Sequence, residues 1–161
     1  MAREIKIFPD YILREKAAEV EEFNDIGDLI EDMWETMYTC KGIGLAAPQI
    51  GIGKRIFVAE VDQKKLIMVN PVIVHKEDEE LMEEGCLSLP EIYLPIPRAS
   101  FIEVEGLNEK GERIRVEAEG LLSRVIQHEI DHLEGVLIID YARPAKRVKL
   151  EKLLKELNRR R

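Results

Sequence analysis

The sequence predicts an α+β fold in which short, mostly antiparallel strands pack around a central helix, with further helices near both ends. Apolar residues recur at helical spacing in the first quarter of the 161-residue chain, short β-branched segments fill its middle, and helical spacing returns in its last third. A chain of this length has the size of one domain, so we expect residues 1–161 to form a single domain.

The first predicted helix covers residues 25–39. Asn24 or Asp25 is placed to cap its first turn, and Gly42 is placed to end it. The spacing of its apolar residues is typical of an amphipathic helix. These residues are Ile26, Leu29, Ile30, Met33, Trp34 and Met37.

The next segment, residues 42–49, reads Gly-Ile-Gly-Leu-Ala-Ala-Pro-Gln. Two glycines and a proline disfavour a regular element. We therefore expect a tight loop whose backbone approaches another group closely.

Short segments rich in β-branched residues predict the strands. Residues 108–111, Asn-Glu-Lys-Gly, predict a hairpin turn between the last two strands, and the strongly acidic residues 79–84 are expected to form a solvated loop. The predicted strands are residues 55–61, 66–70, 72–75, 101–106 and 113–118.

Helical periodicity over residues 121–133 predicts a second helix that begins near Gly120 and ends at Gly135. Leucines at positions 150, 153, 154 and 157 predict a last helix within the basic segment 145–161. That segment carries eight Lys/Arg and two Glu, so a net charge of −8 for the whole chain leaves −14 on the first 144 residues. A solvated amphipathic helix explains such a tail, and docking on a polyanion is the alternative.

The composition excludes several classes of protein. The chain is 45% apolar and 35% charged, and it contains neither a membrane-spanning run nor the apolar core of a secretory signal. We therefore expect a cytoplasmic protein without membrane or DNA partners. In a reducing compartment, Cys40 and Cys86 are expected to be free thiols.

Two of the three histidines, His128 and His132, lie four residues apart on the predicted second helix. At about 3.6 residues per turn they share one face, with Cβ atoms roughly 5 to 6 Å apart, so both imidazoles can bind one metal ion. Glu129 lies about 100° round the helix, beside that ion, where a carboxylate can exchange a proton with water. The spacing therefore predicts a catalytic metal site, with two surface histidines as the simpler alternative.

Such a site needs a third protein ligand and keeps one position open for water. Glu134 and Asp140 are the downstream candidates, although Glu134 points to another face of the helix. Cys86 is the upstream candidate, because it lies in a Gly- and Pro-flanked bent segment and a thiolate binds zinc or ferrous iron strongly. A small buried apolar cysteine is the alternative explanation for Cys86.

Three segments taken together resemble the peptide deformylase family. They are residues 42–49, residues 84–88 (Glu-Gly-Cys-Leu-Ser) and residues 127–135 (Gln-His-Glu-Ile-Asp-His-Leu-Glu-Gly). Their order and separations also match, and the resemblance extends to about Tyr141. It implies a hydrolase with one metal ion per chain, which removes the formyl group from the N-terminal formyl-methionine of nascent proteins and releases formate.

The resemblance implies Cys86, His128 and His132 as the metal ligands and Glu129 as the general acid/base. Ferrous iron is the expected native metal, and Zn²⁺, Ni²⁺ or Co²⁺ could replace it in a site with one thiolate and two imidazoles. Water bound to the metal would attack the formyl carbon, because the metal lowers the pKa of that water toward about 7.

The resemblance also assigns residues to the substrate. The side chain of Gln49 and the backbone N–H of Leu87 would stabilise charge on the formyl oxygen. The methionine side chain would enter an apolar pocket beside the metal helix, with a more polar rim because Arg124 stands where some relatives carry an apolar residue. The expected substrate-binding residues are Ile43, Gly44, Arg98, Leu121 and Val125.

Several alternatives remain open at this point. Either Asp131 or Glu84 could accept a hydrogen bond from a ligating histidine, and Arg98 could be an ordinary exposed arginine at a strand end. A metalloprotease with the same helix motif, or a non-catalytic metal-binding module, are the competing functions. The expected partners are formyl-methionyl peptides and nascent chains, with ribosome docking through the basic helix.

Overall fold

Seven strands form two antiparallel sheets in the computed structural model, which describes residues 1–159. Five strands form one sheet in the order β1-β2-β3-β6-β7, and β4 and β5 form a separate hairpin. The strands are β1 (Gly44–Ala46), β2 (Ile56–Val61), β3 (Lys64–Glu77), β4 (Glu80–Cys86), β5 (Leu89–Arg98), β6 (Phe101–Leu107) and β7 (Arg113–Glu119).

Three α-helices complete the α+β fold over residues 1–159: α1 (Gly27–Thr39), α2 (Gly120–Leu133) and α3 (Pro144–Arg159). None of them is long and apolar enough to cross a bilayer. The predicted basic helix extends to residue 161, and its last two residues lie outside the described part. Short 3₁₀ turns cover Tyr11–Arg14, Ala47–Ile50 and Ile138–Tyr141.

Helices α1 and α2 pack on opposite faces of the large sheet. Strand β2 shows this directly, because Ile56 and Val58 belong to the core cluster of α1, while Phe57 and Ala59 belong to the core cluster of α2. Successive side chains of a strand point to opposite faces, so a strand covered on both sides is apolar throughout. This arrangement places α2, with its two histidines, in the interior.

A third core cluster lies beneath the β4–β5 hairpin. Strand β5 contributes Leu89, Ile92, Leu94 and Ile96 to this cluster, where they pack against Phe8 and Leu13 near the N-terminus and against residues 137–139. Leu154 of α3, only 1% exposed, joins the same cluster and anchors the basic helix. The hairpin therefore packs against residues from both the N-terminal and the C-terminal parts of the chain.

The two strands predicted at 66–70 and 72–75 are one strand, β3. The pairing register of β3 with β6 shifts between Val69 and Val72, where Asn70 has a left-handed φ of 51°. The Asn70 side chain exchanges two hydrogen bonds with the backbone of Val20, at 2.9 and 3.0 Å. The irregularity that suggested two strands is thus a bulge held by the N-terminal segment.

The prediction of an acidic loop at 79–84 is wrong, since most of this segment belongs to β4, and β5 was not predicted at all. Pro90, Pro95 and Pro97 obscure the alternating apolar pattern of β5. Proline removes a backbone donor and is tolerated only where no ladder partner is needed, as in a two-stranded hairpin with open edges.

The helix boundaries are partly as predicted. The N-cap of α1 is Ile26, without a side-chain hydrogen bond, so the caps proposed at Asn24 and Asp25 are wrong. The predicted loop 42–49 contains the short strand β1 and a 3₁₀ turn. The hairpin turn at 108–111 is confirmed, and α2 begins at Gly120 and ends just before Gly135, as expected.

Candidate metal centre

The three predicted metal donors converge at one point of the structure. The ligand atoms of Cys86, His128 and His132 all lie within 4.8 Å of one another, and Cys86 Sγ is 3.3 Å from His132 Nε2. Cys86 ends β4, whereas both histidines lie on one face of α2. A thiolate with two imidazoles suits Zn²⁺ or Fe²⁺ and leaves room for a further ligand, so these residues fit a catalytic metal ion.

The downstream candidates for a third ligand lie elsewhere. Glu134 Oε2 pairs with Arg55 Nη1 at 2.6 Å, and Asp140 Oδ2 pairs with Arg14 Nη1 at 2.7 Å. Neither carboxylate belongs to the donor cluster found among residues 1–159. Both cysteines are free thiols, as expected.

Glu84 orients His128. Its Oε1 atom lies 2.9 Å from His128 Nδ1, so the imidazole donates from Nδ1 and keeps Nε2 for a metal ion. Burial raises the pKa of the Glu84 carboxyl, but hydrogen bonds from His128 and Arg98 outweigh burial and lower this pKa to about 2. The carboxylate of Glu84 is therefore buried and ionised, not solvated. Asp131 and Glu84 were the two predicted acceptors of a hydrogen bond from a ligating histidine, and Glu84 is the one that accepts it.

Two arginines balance the charge of Glu84. Arg98 donates to both of its oxygens, at 2.9 and 3.0 Å, and Arg124 donates to Oε2 at 2.7 Å. Arg98 also pairs with Asp131 at 2.6 Å, and its guanidinium lies 5.0 Å from the ring centroid of Tyr141. A buried ion needs such partners, since an unpaired buried charge is strongly destabilising.

This network corrects the expectations for Arg98 and Asp131. Arg98 is only 4% exposed, so it is not an exposed strand-end residue. It also does not line the cleft at the donor cluster. Its guanidinium instead forms ion pairs with Glu84 and Asp131. Asp131 accepts hydrogen bonds from Arg98 and from the Tyr141 hydroxyl, and within the described residues no histidine side chain donates to it.

Glu129 is buried beside the donor cluster. The residue is 3% exposed, and its Oε1 atom has no hydrogen-bond partner among residues 1–159. Burial raises the pKa of Glu129 to about 7, although the positive charge of Arg98 acts in the opposite direction. A carboxylate with this pKa can both accept and return a proton near neutral pH.

Gly44 allows β1 to approach α2. A Cβ atom at this position would lie 2.5 Å from Glu129 Oε2 and 2.8 Å from Val125 Cγ1, which no real contact permits. The close backbone approach predicted for residues 42–49 is therefore present. Its partner within the chain is the carboxylate of Glu129, so Gly44 is required by packing whether or not a substrate binds.

Gln49 lies close to the sulfur of Cys86. Its Oε1 atom accepts a hydrogen bond from the backbone of Ala46 at 3.0 Å, which turns Nε2 toward Ser88 Oγ at 3.2 Å and Cys86 Sγ at 3.9 Å. Leu87 lies between Cys86 and Ser88, in the turn from β4 to β5. The role of Ser88, which is fully buried, was missed although it belongs to the segment 84–88 that the sequence singled out.

A cleft of about 560 Å³ opens onto this cluster. Its outer parts include Ile43 and Leu121, which are 47% and 46% exposed, while Val125 is buried. The predicted site residues that line the cleft are Ile43, Gly44, Gln49, Cys86, Leu87, Leu121, Val125, His128 and Glu129.

Comparison with known proteins agrees with this geometry. The family model described as polypeptide deformylase matches residues 2–148. A peptide deformylase of Desulfitobacterium hafniense is 50% identical over 137 residues, 84% of this chain and 91% of that protein. One of Thermodesulfovibrio yellowstonii is 47% identical over 158 residues, 94% of this chain and 96% of that protein.

Solved structures show the same likeness. The peptide deformylase of Legionella pneumophila has a TM-score of 0.93 at 40% identity and covers 99% of this chain and 96% of its own. That of Ehrlichia chaffeensis, solved in complex with actinonin, has a TM-score of 0.94 at 35% identity and covers 98% of both chains. The chain thus belongs to the polypeptide deformylase family, the metal-dependent enzymes that remove the formyl group from an N-terminal methionine.

Proposed function

We propose that this chain deformylates nascent proteins with Cys86, His128 and His132 as metal ligands and Glu129 as the general acid/base. The observation that carries the proposal is the free oxygen of Glu129, which is buried beside the three donors at the base of an apolar cleft. Neither a metalloprotease nor a non-catalytic module is favoured, because the family relationship extends over most of the chain.

A divalent cation bound by the three donors supplies Lewis acidity and makes water reactive near neutral pH. Glu129 accepts the proton of the attacking water at its free carboxylate oxygen. It then passes this proton to the amine nitrogen as the C–N bond of the formamide breaks, so the products are formate and a free N-terminal amine.

Two donors would stabilise the negative charge that develops on the formyl oxygen. Gln49 Nε2 is already turned toward the sulfur of Cys86, because its Oε1 is held by Ala46 N–H. The backbone N–H of Leu87 follows the same sulfur in the chain. Donors that are fixed before the reaction need no reorganisation during it, and one such donor contributes about 10²- to 10³-fold in rate.

The methionine side chain would lie against Leu121 and Val125 of α2, with the peptide backbone along Ile43 and Gly44. Support comes from the apolar character of these residues and from their place in the cleft wall beside His128. Arg98 is assigned to positioning of Glu84, not to substrate.

The metal and the cellular setting belong to the same proposal. We expect Fe²⁺ as the native ion, with Zn²⁺, Ni²⁺ or Co²⁺ able to replace it, because the thiolate and imidazole donors accept all four. The chain would act as a single catalytic domain in the cytoplasm, where nascent chains appear. Metal analysis of protein purified without oxygen identifies the ion.

Release of formate from formyl-Met-Ala-Ser tests the activity. Cys86→Ala should abolish tight metal binding and formate release, whereas Cys40→Ala, which changes the other free thiol, should leave both unchanged. Glu129→Ala should retain the metal ion and lose turnover. Full activity of the Cys86 variant would refute its assignment as a ligand, and turnover without Glu129 would remove the general-base role.

We also propose that the basic helix docks on ribosomal RNA. Leu154 fixes α3 to the body, and Arg147 lies 3.7 Å from Asp140 and 3.8 Å from Glu151, so Arg147 is already engaged within the chain. The lysines at 146, 149, 152 and 155 are exposed and could contact phosphates.

Ribosome binding measured at several salt concentrations tests the docking. Deletion of residues 145–161 should weaken binding, and so should the milder replacement of the lysines at 149, 152 and 155 by glutamine, which leaves Leu154 in place. Binding should fall steeply with salt, because each phosphate contact releases counterions. Unchanged binding of both variants at low salt would refute the docking proposal.

A further inference from the structure

Tyr141 forms a triangle of hydrogen bonds with two charged residues outside the cleft. Tyr141 ends the last 3₁₀ turn, Asp131 lies on α2, and Arg98 ends β5. The Tyr141 hydroxyl and Arg98 Nη1 each donate to Asp131 Oδ2 at 2.6 Å, and Arg98 Nη1 also donates to the Tyr141 hydroxyl at 3.1 Å. The three residues line a separate cavity of about 330 Å³, so they can serve the reaction only through other residues.

Arg98 links this triangle to Glu84. Its Nε and Nη2 donate to the two oxygens of Glu84, at 2.9 and 3.0 Å, so Nη1 is the nitrogen that faces Asp131 and Tyr141. A guanidinium is planar and presents its donors in a fixed fork, so the partners that hold Nη1 also fix the direction of the other two nitrogens. The orientation of the Glu84 carboxylate therefore depends on Asp131 and Tyr141.

Tyr141 keeps Asp131 turned toward Arg98. The Asp131 side chain is 23% exposed, whereas that of Arg98 is 3% exposed, so the carboxylate could turn toward water if it had a single donor. Burial and the hydrogen bond to Asp131 raise the pKa of Tyr141 to about 12, so the hydroxyl keeps its proton and donates at neutral pH. The Tyr141 ring also covers the guanidinium, whose carbon lies 5.0 Å from the ring centroid.

Glu84 in turn orients only one of the two histidines. Its Oε1 atom lies 2.9 Å from His128 Nδ1, whereas the buried Nδ1 of His132 has no hydrogen-bond partner among residues 1–159. A ligating imidazole is generally oriented by the acceptor at its other nitrogen. A change at Tyr141 should therefore reach His128 and leave His132 less affected.

We propose that Tyr141 is a positioning residue for the metal centre. Together with Asp131 it fixes Arg98, and Arg98 holds Glu84 in the orientation that directs His128 Nε2 toward the metal ion. This inference rests on the proposed function, because it takes His128 as a metal ligand. Tyr141 acts through three intermediate side chains, so its effect should be smaller than that of Glu84.

Zinc release from Tyr141→Phe tests the proposal, because this change removes the hydroxyl and keeps the ring over Arg98. Transfer of Zn²⁺ to a chelator should be about threefold to tenfold faster than in the unmodified chain, below the 10- to 100-fold effect typical of a direct partner. In NMR spectra of the zinc-loaded protein, the Nδ1–H signal of His128 should shift and its proton should exchange faster with water. The ring signals of His132 should move less.

Tyr38→Phe is the matched control. Tyr38 is 45% exposed and Tyr141 is 40% exposed, and the Tyr38 hydroxyl also donates to a carboxylate, that of Glu60. Tyr38 does not line the cleft, so its variant should leave zinc release and the His128 signal unchanged. If Tyr141→Phe lowered the free energy of unfolding but matched Tyr38→Phe in zinc release and in the His128 signal, the role of Tyr141 would be structural only, which would overturn the proposal.

A double-mutant cycle with Glu84→Gln tests the route from Tyr141 to His128. If Tyr141 acts through Glu84, adding Tyr141→Phe to Glu84→Gln should accelerate zinc release little further. Multiplication of the two rate effects would contradict that route and overturn the proposal. Absence of any zinc-induced shift of the His128 ring in the unmodified chain would instead refute the ligand set of the proposed function, and this inference with it.

Discussion

The two walls of the cleft are built on different physical principles. The β1 wall, formed by Gly44 and by Gln49, whose side chain the backbone of Ala46 holds, relies on close backbone packing and on hydrogen bonds between uncharged groups. The hairpin wall, formed by Glu84 and Cys86 with the arginines behind them, relies on buried charges that balance one another. Under the proposed function, the β1 wall would position groups around the reacting carbonyl, and the hairpin wall would position the metal donors.

Among the substitutions that test this difference between the two walls, Gln49→Leu is expected to have the largest effect. Gln49→Leu keeps the approximate shape of the side chain and removes the donor that is proposed to stabilise the formyl oxygen. We expect kcat to fall about 10²- to 10³-fold, with metal affinity within a few-fold of the unmodified chain. Steady-state kinetics and chelator competition measure the two effects. If the metal affinity fell by a similar factor, the β1 wall would also position the metal donors. That result would contradict the distinction between the two walls.

Glu84→Gln is the corresponding change on the hairpin wall. It removes the charge that orients His128 and leaves two buried guanidinium groups facing an amide. We expect the metal affinity to fall about 10- to 100-fold, as for other partners of ligating histidines. The kcat of the fully metal-loaded variant should change much less than in Gln49→Leu. A large loss of kcat at unchanged metal affinity would reverse the assignment of the walls.

Gly44→Ala tests the packing of the β1 wall through stability. The added methyl group would overlap Glu129 and Val125, so we expect a loss of about 1–3 kcal/mol in the free energy of unfolding. Gly27→Ala is the control, because a Cβ at Gly27 has no atom within 4 Å. Chemical denaturation of both variants under identical metal loading gives the comparison. Equal stabilities would contradict the contact between Gly44 and Glu129.

Ser88→Ala gives the smallest expected effect, because it removes one uncharged hydrogen bond between the two walls. Gln49 Nε2 lies 3.2 Å from Ser88 Oγ. The free energy of unfolding should therefore fall by about 0.5–1.5 kcal/mol. A double-mutant cycle with Gln49→Leu isolates this contact. Additive effects of the two changes would show that the contact does not couple the walls.

The sequence predicted the β1 wall and the donors better than the hairpin wall. The Gly-rich segment and the helical spacing of His128 and His132 are local patterns, so their consequences can be read from neighbouring residues. The close approach at Gly44 and the position of α2 followed from such patterns. The third donor, Cys86, required the family resemblance, because nothing local brings it to the histidines.

The hairpin wall escaped prediction because its partners are far apart in the chain. Glu84 lies 14 residues from Arg98, 40 from Arg124 and 44 from His128. An acidic run such as 79–84 is typical of a solvated loop, and only tertiary packing shows that one of its carboxylates is buried. Strand β5, which carries Arg98, escaped prediction for a different reason, because its prolines obscure the alternating apolar pattern.

The separation of the donors has a consequence for how the enzyme is made. Cys86 and His132 are 46 residues apart, so at about 5–20 residues per second the sulfur is synthesised about 2 to 9 s before the last imidazole. During that interval the thiol of Cys86 exists without the His132 imidazole that would bind the same cation. With the proposed ligand set, the cation would bind only after the hairpin has assembled on α2, so a newly made copy would first exist as an inactive apoprotein with an oxidisable thiol.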